Sequence, residues 1–328
     1  MHSQSIFVSV KYDVLVRPII LILGPTAGGK TSLAIKLAQS LPDGGECVCA
    51  DSMQIYTRMD IGTAKPTKEE QEAAPHHLFD LIEPSEQGFT VDSWLTLANK
   101  TIDEIRNRGK WPIVVGGTNL YVQSLLFGMF DAPCANPTRR AELDEHSNEK
   151  LREILQALDP VATTRIHIND RRRTIRAIEV CEMTGKPISE QQSQWNGQSP
   201  REDARIIGLD WQVGKINRRI NKRVKQMMDA GLLEEVTSLQ HELCPQAAEA
   251  LGYKQLLEHL RGDCDLEHAV ERIKILTRRY AKAQRTWLKR FKVLPRTHFI
   301  EICEKQPQVI AEEALTHAFV GNSSDIEA

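Results

Sequence analysis

A glycine-rich segment near the start of the chain constrains the fold more than any other part of the sequence. It reads GPTAGGKT and fits the pattern G-x-x-x-x-G-K-[ST], with the residues Gly24, Pro25, Thr26, Ala27, Gly28, Gly29, Lys30 and Thr31. The apolar run VLVRPIILIL precedes it, and KTSLAIKLAQSL, which has apolar residues at helical spacing, follows it. A strand, a glycine loop and a helix in this order predict a phosphate-binding loop.

Each part of this loop has an expected role. We expect the backbone N–H groups to wrap a diphosphate, because a helix N-terminus favours an anion. Lys30 would supply a positive charge, and the hydroxyl of Thr31 would hold Mg²⁺.

Two further apolar runs end at polar residues. CVCA (47–50) is followed by Asp51, and PIVVGG (112–117) is followed by Thr118. Strands that alternate with helical segments predict an α/β fold with a parallel sheet, similar to that of P-loop NTPases. Ligands of such sheets bind at the carboxyl ends of the strands, which is where Asp51 and Thr118 are expected.

The residue pattern of the sequence changes after Gly128. DAPCANP is a proline-containing linker, residues 138–198 are polar and helical in pattern, and strand character returns in ARIIGLDW (204–211). We therefore predict a catalytic core from residues 18–130 and 204–300, with a small all-helical domain inserted at 131–203. Long helices are expected over 213–240 and 266–292, and the termini, 1–17 and 307–328, are expected to be poorly defined.

Composition excludes several classes of protein. Lys and Arg number 42 against 44 Asp and Glu, so a polyanion site must be local. No apolar run is long enough for a membrane helix, and the first residues lack the pattern of a signal or transit peptide, so we expect a cytoplasmic protein without membrane contact. The seven cysteines contain no C-x-x-C pair, which argues against a disulfide framework or a zinc ribbon.

Basic residues nevertheless cluster in three segments. Six lie within 215–225 and ten within 272–296, and neither segment contains an acidic residue. The third cluster, Arg171, Arg172, Arg173 and Arg176, lies in the predicted insertion. These clusters favour a nucleic-acid surface over an ordinary solvated helix. Tyr280, Trp287 and Phe291 recur at helical spacing and are expected to pack in the core.

The phosphate loop alone does not identify the reaction. The segment PIVVGGT lacks the Asp that holds Mg²⁺ at the end of a later strand in NTPases, and no nucleoside-kinase lid is recognisable. Two hypotheses remain open at this point. One is a P-loop kinase that uses ATP, and the other is a transferase that uses the loop to hold a diphosphate leaving group.

Five further motifs, in a fixed order, bear on that choice. They are DSMQIY (51–56), MDIGTAKP (59–66), HHL (76–78), GGTNLY (116–121) and LGYK (251–254). With the phosphate loop, they make the chain resemble the tRNA dimethylallyltransferases of bacterial type, over about Ile19 to Phe291. The resemblance implies transfer of a dimethylallyl group from dimethylallyl diphosphate to N6 of adenosine 37, next to the anticodon.

The resemblance also implies roles for single residues. Asp51 would take the N6 proton, Thr118 would hydrogen-bond the bridging oxygen of the donor, and Arg223 would reach the diphosphate. Contacts with the tRNA anticodon stem-loop would come from Asp51, Ser52, Met53, Gln54, Thr118, Arg140, Arg172, Arg173 and Arg176. We expect Mg²⁺ as the cofactor and a monomer without an obligate protein partner.

Two other functions are weighed against this one. An adenylate isopentenyltransferase would modify a free nucleotide and should lack a helical insertion with an arginine cluster. A non-catalytic RNA-binding module would leave the phosphate loop, Asp51 and Thr118 without a role.

Overall fold

The computed structural model describes residues 17–129, 133, 135–191, 199–302 and 305–319. Its elements follow the alternation predicted from the sequence. In chain order they are β1 (Ile19–Leu23), α1 (Lys30–Ser40), β2 (Gly45–Ala50), α2 (Lys68–Ala73), β3 (His76–His77), α3 (Val91–Asn107), β4 (Trp111–Gly116), α4 (Asn119–Phe127), α5 (Pro137–Asp144), α6 (Asn148–Leu158), α7 (Pro160–Arg165), α8 (Arg171–Thr184), α9 (Ile188–Gln191), β5 (Ala204–Trp211), α10 (Val213–Asp229), α11 (Leu232–Leu239), α12 (Pro245–Ala248), α13 (Tyr253–Leu260), α14 (Leu266–Phe291), β6 (Thr297–Ile302) and α15 (Pro307–Phe319).

The first of two compact units is built on a parallel sheet. It takes its described residues from the chain up to Leu125 and from Arg201 onward. The sheet has the strand order β3-β2-β4-β1-β5-β6, and each neighbouring pair is parallel. All five residues of β1 are buried, as expected for a central strand covered on both faces. The predicted parallel α/β fold is therefore confirmed, and the carboxyl ends of β1, β2 and β4 share one edge.

Two apolar clusters among the described residues help to hold this unit together. In one, α1 and α15 pack on the sheet, with Ile22 and Leu37 among its fully buried members. In the other, α10, α11, α13 and α14 surround Tyr253, which is also fully buried. The second cluster includes Ile55 and Met59, so it anchors the segment that follows β2.

The second compact unit, residues 126–200, is helical where it is described. Leu143, Leu155 and Ile178 belong to a core of its own. Helices α6, α7 and α8 are preceded by the N-cap residues Ser147, Asp159 and Asp170, whose side chains each accept a hydrogen bond from a backbone N–H of the first turn.

The structure departs from the sequence-based expectation at Gly231. The helix predicted over 213–240 is two helices, because α10 ends at Asp229 and α11 begins at Leu232. Gly231 between them has φ 99°, a left-handed conformation that a continuous helix does not contain.

The C-terminal segment also differs from expectation. Residues 307–319 were predicted to be poorly defined, yet they form α15. Ala311, Ala314 and Ala318 of this helix are buried against the sheet. Small side chains allow the helix to approach the sheet closely, and this contact is not visible as periodicity. Of the termini predicted to be poorly defined, 1–17 and 307–328, the segments 1–16 and 320–328 lie outside the described residues.

The return from the helical unit occurs earlier than predicted. Arg201–Asp203 were placed in the insertion, but the structure groups them with the first unit. The carbonyl of Asp203 accepts a hydrogen bond from the Ile19 N–H at 2.7 Å, and its carboxylate accepts one from Arg106 at 2.7 Å. Within the described residues, no helix is long and apolar enough to span a bilayer.

Candidate active site

The carbonyl groups of the phosphate loop are engaged by side chains. Lys30 Nζ donates to the carbonyls of Gly24 and Pro25, at 3.1 and 3.0 Å. Arg219 Nε donates to the Ala27 carbonyl at 2.9 Å, and Trp211 Nε1 donates to the Gly28 carbonyl at 3.1 Å. These bonds hold the loop in place and pair its carbonyl oxygens with hydrogen-bond donors. Because those oxygens are paired, the site is suited to an anion.

The loop needs its glycines for steric reasons. A Cβ atom on Gly28 would lie 2.7 Å from the Pro25 carbonyl oxygen, and Gly29 has φ 87°. Glycine adopts such a left-handed conformation without strain, so the chain can turn into α1 at this point.

Two basic side chains lie within electrostatic range of each other. The pKa of Lys30 is lowered to about 8, chiefly by burial; the charge of Arg223 adds to this shift and that of Asp51 opposes it. Burial likewise lowers the pKa of Arg223, against the opposing effect of Asp51. Within the described part of the chain, Arg223 has no hydrogen bond and no ion pair, although it lines the cavity. A polyphosphate bound here would compensate the cost of placing two cations in one buried site.

Asp51 and Thr118 follow neighbouring strands. The strands β2 and β4 pair so that Ala50 lies beside Gly116, and the two polar residues come just after. A Cβ on Gly116 would lie 2.1 Å from the Ala50 carbonyl oxygen, so this close approach requires glycine. The Thr118 N–H donates to that same Ala50 carbonyl at 3.2 Å.

The hydroxyl of Thr118 orders the turn that carries Asp51. It accepts the Ser52 N–H at 2.9 Å and donates to the Ser52 hydroxyl at 3.3 Å. The Asp51 carboxylate accepts the Met53 N–H at 2.9 Å through its Oδ1 atom. Asp51 and Thr118 both follow strand ends, as the sequence predicts, and Thr118 directly contacts Ser52, the residue after Asp51.

Gln54 has an internal structural role. Its amide donates to the carbonyls of Thr63 and Ala64, at 3.1 and 3.0 Å, and its Oε1 accepts from the Cys49 thiol. These bonds fix the segment after β2 to the loop that contains Lys65. That amine is only 4% exposed and is paired with Asp60 and Asp80.

The predicted arginines divide into two groups in the helical unit. Arg140 and Arg176 are both paired with Glu179, whose side chain is fully buried, at 2.8 and 2.5 Å. Burial alone would raise the pKa of Glu179, but these bonds hold it below its usual value. Arg172 and Arg173 are exposed; the described residues offer Arg172 no ion pair, and the bridge from Arg173 to Asp170 is 3.4 Å long.

Sequence reasoning missed three residues at the core site. Arg219 was assigned to a basic surface, but it supports the phosphate loop and lies 4.8 Å from the centroid of the Trp211 ring. Tyr280 was expected to pack in the core, yet it is 39% exposed and lines the cavity. Gln284, which was not singled out, bonds the loop. Spacing was an available signal, since Arg219 precedes Arg223 by four residues and Tyr280 precedes Gln284 by four.

A cavity of about 940 Å³ joins these groups within the first unit. The phosphate loop, Asp51, Arg223, Tyr280 and Gln284 line it. Among the described residues, no group of three His, Cys, Asp or Glu side chains is arranged to hold a metal ion. A cavity of this size, with cations at one position and a carboxylate nearby, suits a substrate with an anionic leaving group.

The sheet order, the loop after β1 and the residues Lys30 and Thr31 define a P-loop enzyme of the α/β class. Comparison with known proteins gives the family. The model described as "IPP transferase" matches residues 54–291, and the one described as "Isopentenyl transferase" matches residues 17–80.

Individual relatives agree with the family models. A tRNA dimethylallyltransferase of Shouchella clausii is 47% identical over 282 residues, which cover 83% of this chain and 88% of the relative. A crystal structure of tRNA delta(2)-isopentenylpyrophosphate transferase from Staphylococcus epidermidis is similar with a TM-score of 0.67 and 36% identity, covering 93% of this chain and 99% of the other. A eukaryotic dimethylallyltransferase acting on tRNA gives a TM-score of 0.78 and 30% identity, covering 93% and 79%. The chain belongs to the tRNA dimethylallyltransferase family.

Proposed function

We propose that this chain transfers a dimethylallyl group from dimethylallyl diphosphate to N6 of adenosine 37 in tRNA and releases diphosphate. The observation that carries the proposal is one cavity in which two half-buried cations, Lys30 and Arg223, lie within electrostatic range of the Asp51 carboxylate. The cations suit the leaving group of the donor, and the carboxylate suits the proton of the acceptor.

The donor half of the reaction needs charge stabilisation. When the allylic C–O bond breaks, negative charge grows on the diphosphate. Fixed donors in a low-dielectric cavity stabilise that charge more than water does. Lys30, Arg223 and the loop N–H groups supply such donors, and Arg219 holds the loop in place through the Ala27 carbonyl.

Mg²⁺ fits the donor set at Thr31. This residue lies in the first turn of α1 and lines the cavity, so its hydroxyl would hold the ion together with diphosphate oxygens. Oxygen ligands from a hydroxyl and a phosphate are those that Mg²⁺ prefers. When bound, the ion would add positive charge beside the leaving group.

The acceptor half needs a proton acceptor at a defined position. As the new C–N bond forms, the adenine N6 gives up a proton, and the Asp51 carboxylate receives it in this proposal. Thr118 keeps Asp51 in position through Ser52. Its hydroxyl lies at the same edge of the sheet, where a bond to the bridging oxygen of the donor remains a prediction.

From the exposed arginines of α8 we infer that the acceptor is a tRNA rather than a free nucleotide. A stacked adenosine must leave its stack to react, at a cost of a few kcal/mol, and contacts along the stem-loop must offset that cost. Arg172 and Arg173 are exposed on α8 and are suited to contact backbone phosphates. Because bacterial tRNA is found in the cytoplasm, we propose that compartment for the reaction.

One assay separates the alternatives. The purified protein is incubated with radiolabelled dimethylallyl diphosphate and, in separate reactions, unmodified tRNA, AMP or neither. We expect label in tRNA at adenosine 37 and none in AMP. Label in AMP at a rate equal to that in tRNA would support a free-nucleotide acceptor instead. Absence of label from both would contradict the proposal.

A further inference from the structure

One buried amide on α14 connects the two halves of the candidate active site. Gln284 is 2% exposed. Its Oε1 accepts the Thr26 N–H of the phosphate loop at 2.8 Å, and its Nε2 donates to the Gly117 carbonyl at 3.0 Å. A single side chain therefore links the loop after β1 with the segment after β4, two regions far from Gln284 in sequence.

The fit around this amide is tight. A Cβ on Gly117 would lie 2.4 Å from the Gln284 Nε2 atom, so only glycine leaves room for the bond. Tyr280, one turn earlier on α14, directs its hydroxyl to the same Gly117 carbonyl at 3.4 Å. The amide is therefore bonded at both ends and has little freedom to move.

The link continues to the proposed base. Gly117 precedes Thr118, whose hydroxyl binds the Ser52 N–H next to Asp51. Distances along this path are set by hydrogen bonds rather than by flexible contacts. Gln284 thus links the phosphate loop to the segment that positions Asp51, in addition to the strand pairing that joins them through the sheet.

This bond also changes what Thr26 does. Its N–H is occupied by Gln284, so it belongs to the support of the loop and not to the groups left for an anion. Loss of Gln284 should therefore disturb where the donor sits more than how tightly it binds. Misplacement of reacting groups by about 1 Å can slow a reaction about 100-fold.

We propose that Gln284 is a positioning residue that directs the allylic carbon of the donor to the adenine N6 and away from water. The inference rests on the proposed function. In transfer, the allylic C–O bond breaks, the C–N bond forms, and the N6 proton goes to Asp51. In the competing reaction the same C–O bond breaks, a water oxygen bonds to the carbon, and the water proton passes to solvent, which yields dimethylallyl alcohol and diphosphate.

The test compares two substitutions. Gln284→Met removes both hydrogen bonds at similar volume. Gln284→Glu, as a carboxylate, still accepts the Thr26 N–H but cannot donate to Gly117. Gln308→Met, on the exposed side of α15, is the matched control for an amide-to-thioether change.

For each protein, labelled donor and saturating tRNA are used to measure kcat, both KM values, and the ratio of dimethylallyl alcohol to prenylated tRNA. In Gln284→Met we expect kcat to fall about 10- to 100-fold, with both KM values within about threefold. The alcohol ratio should rise several-fold in both Gln284 variants and stay at the wild-type value in Gln308→Met. Thermal unfolding reports whether each variant is folded. If Gln284→Met is not folded, the alcohol ratio of Gln284→Glu provides the test.

A wild-type alcohol ratio in the folded variants would overturn the inference, because a merely structural residue would lower the active fraction without changing the products. The proposed function fails separately, since it predicts that the wild-type protein labels tRNA. No label in tRNA from the wild type would overturn both proposals.

Discussion

At the residue scale, Lys30 has two roles, one in holding the phosphate loop and one at the diphosphate. It is half-buried, it bonds two loop carbonyls, and in the proposed reaction it supplies charge where the diphosphate leaves. We expect Lys30→Ala to lower kcat/KM for the donor by about 10²- to 10³-fold, the cost of removing one preorganised donor. Steady-state kinetics with tRNA fixed at saturation provide the measurement. Lys36→Ala, on the same helix and outside the cavity lining, should be near wild type, and equal losses in both variants would contradict the role given to Lys30.

The role of Asp51 as a base can be separated from its role in the turn. Asp51→Asn keeps an oxygen that accepts the Met53 N–H, but it removes the basic carboxylate. We expect kcat to fall by about 10²- to 10⁴-fold, as for loss of a general base, while the affinity for tRNA changes little. Single-turnover kinetics and a separate binding assay distinguish the two quantities. If the variant retains near-normal kcat, Asp51 does not accept the proton.

At the scale of the element, α8 carries arginines with two different tasks. Arg172 and Arg173 are exposed, so their joint replacement by alanine should weaken tRNA binding without loss of stability. Each lost phosphate contact lowers the slope of log affinity against log salt by about 0.7–0.9, which gives a change of about 1.4–1.8 for two. Filter binding from low to high salt measures it. An unchanged slope would show that α8 does not contact the tRNA backbone.

Arg176 on the same helix should behave differently. Its replacement by alanine leaves the buried Glu179 with fewer partners, although Arg140 and the Asn136 N–H remain. We expect a loss of about 1–3 kcal/mol in the stability of the helical unit, because a buried charge loses one hydrogen-bonded partner. Thermal unfolding of the single variant tests this, with Arg172→Ala as its control. A triple substitution that included Arg176 would mix destabilisation with lost tRNA contact.

At the scale of the whole molecule, Asp203 connects the point where the chain re-enters the core to α3 and β1. Burial alone would raise its pKa, but hydrogen bonds from Arg201 and Arg106 lower it to about 2. An unfolded Asp has a pKa of about 3.9. A pKa lowered by folding stabilises the folded state above the unfolded value, and this stabilisation is lost as the pH falls through the folded value.

We therefore expect Asp203→Asn to be less stable than wild type at pH 6. The difference should shrink between about pH 4 and pH 2, where the wild-type carboxylate becomes protonated. Urea unfolding at several pH values, followed by tryptophan fluorescence, measures it. A difference that stays constant over this range would mean that the charge of Asp203 does not contribute.

The sequence alone was sufficient for the parts that depend on local chemistry. The phosphate loop, the strands before Asp51 and Thr118, and the helical insertion were all readable, because apolar periodicity and glycine spacing act over a few residues. The five ordered motifs then indicated the family, and the comparisons confirm it.

Only the tertiary structure determined how those parts are supported. Gln284 and Arg219 lie far along the chain from the loop that they bond, and no local pattern records which backbone group a distant amide or guanidinium meets. The same holds for α15, because its alanines are buried against a sheet whose strands lie elsewhere in the sequence. It also holds for Arg176, which pairs with a buried glutamate although its sequence context resembles that of Arg172. Local structure depends on residues that are neighbours in sequence. Contacts between residues far apart in sequence depend on tertiary packing, which forms only when the whole chain folds.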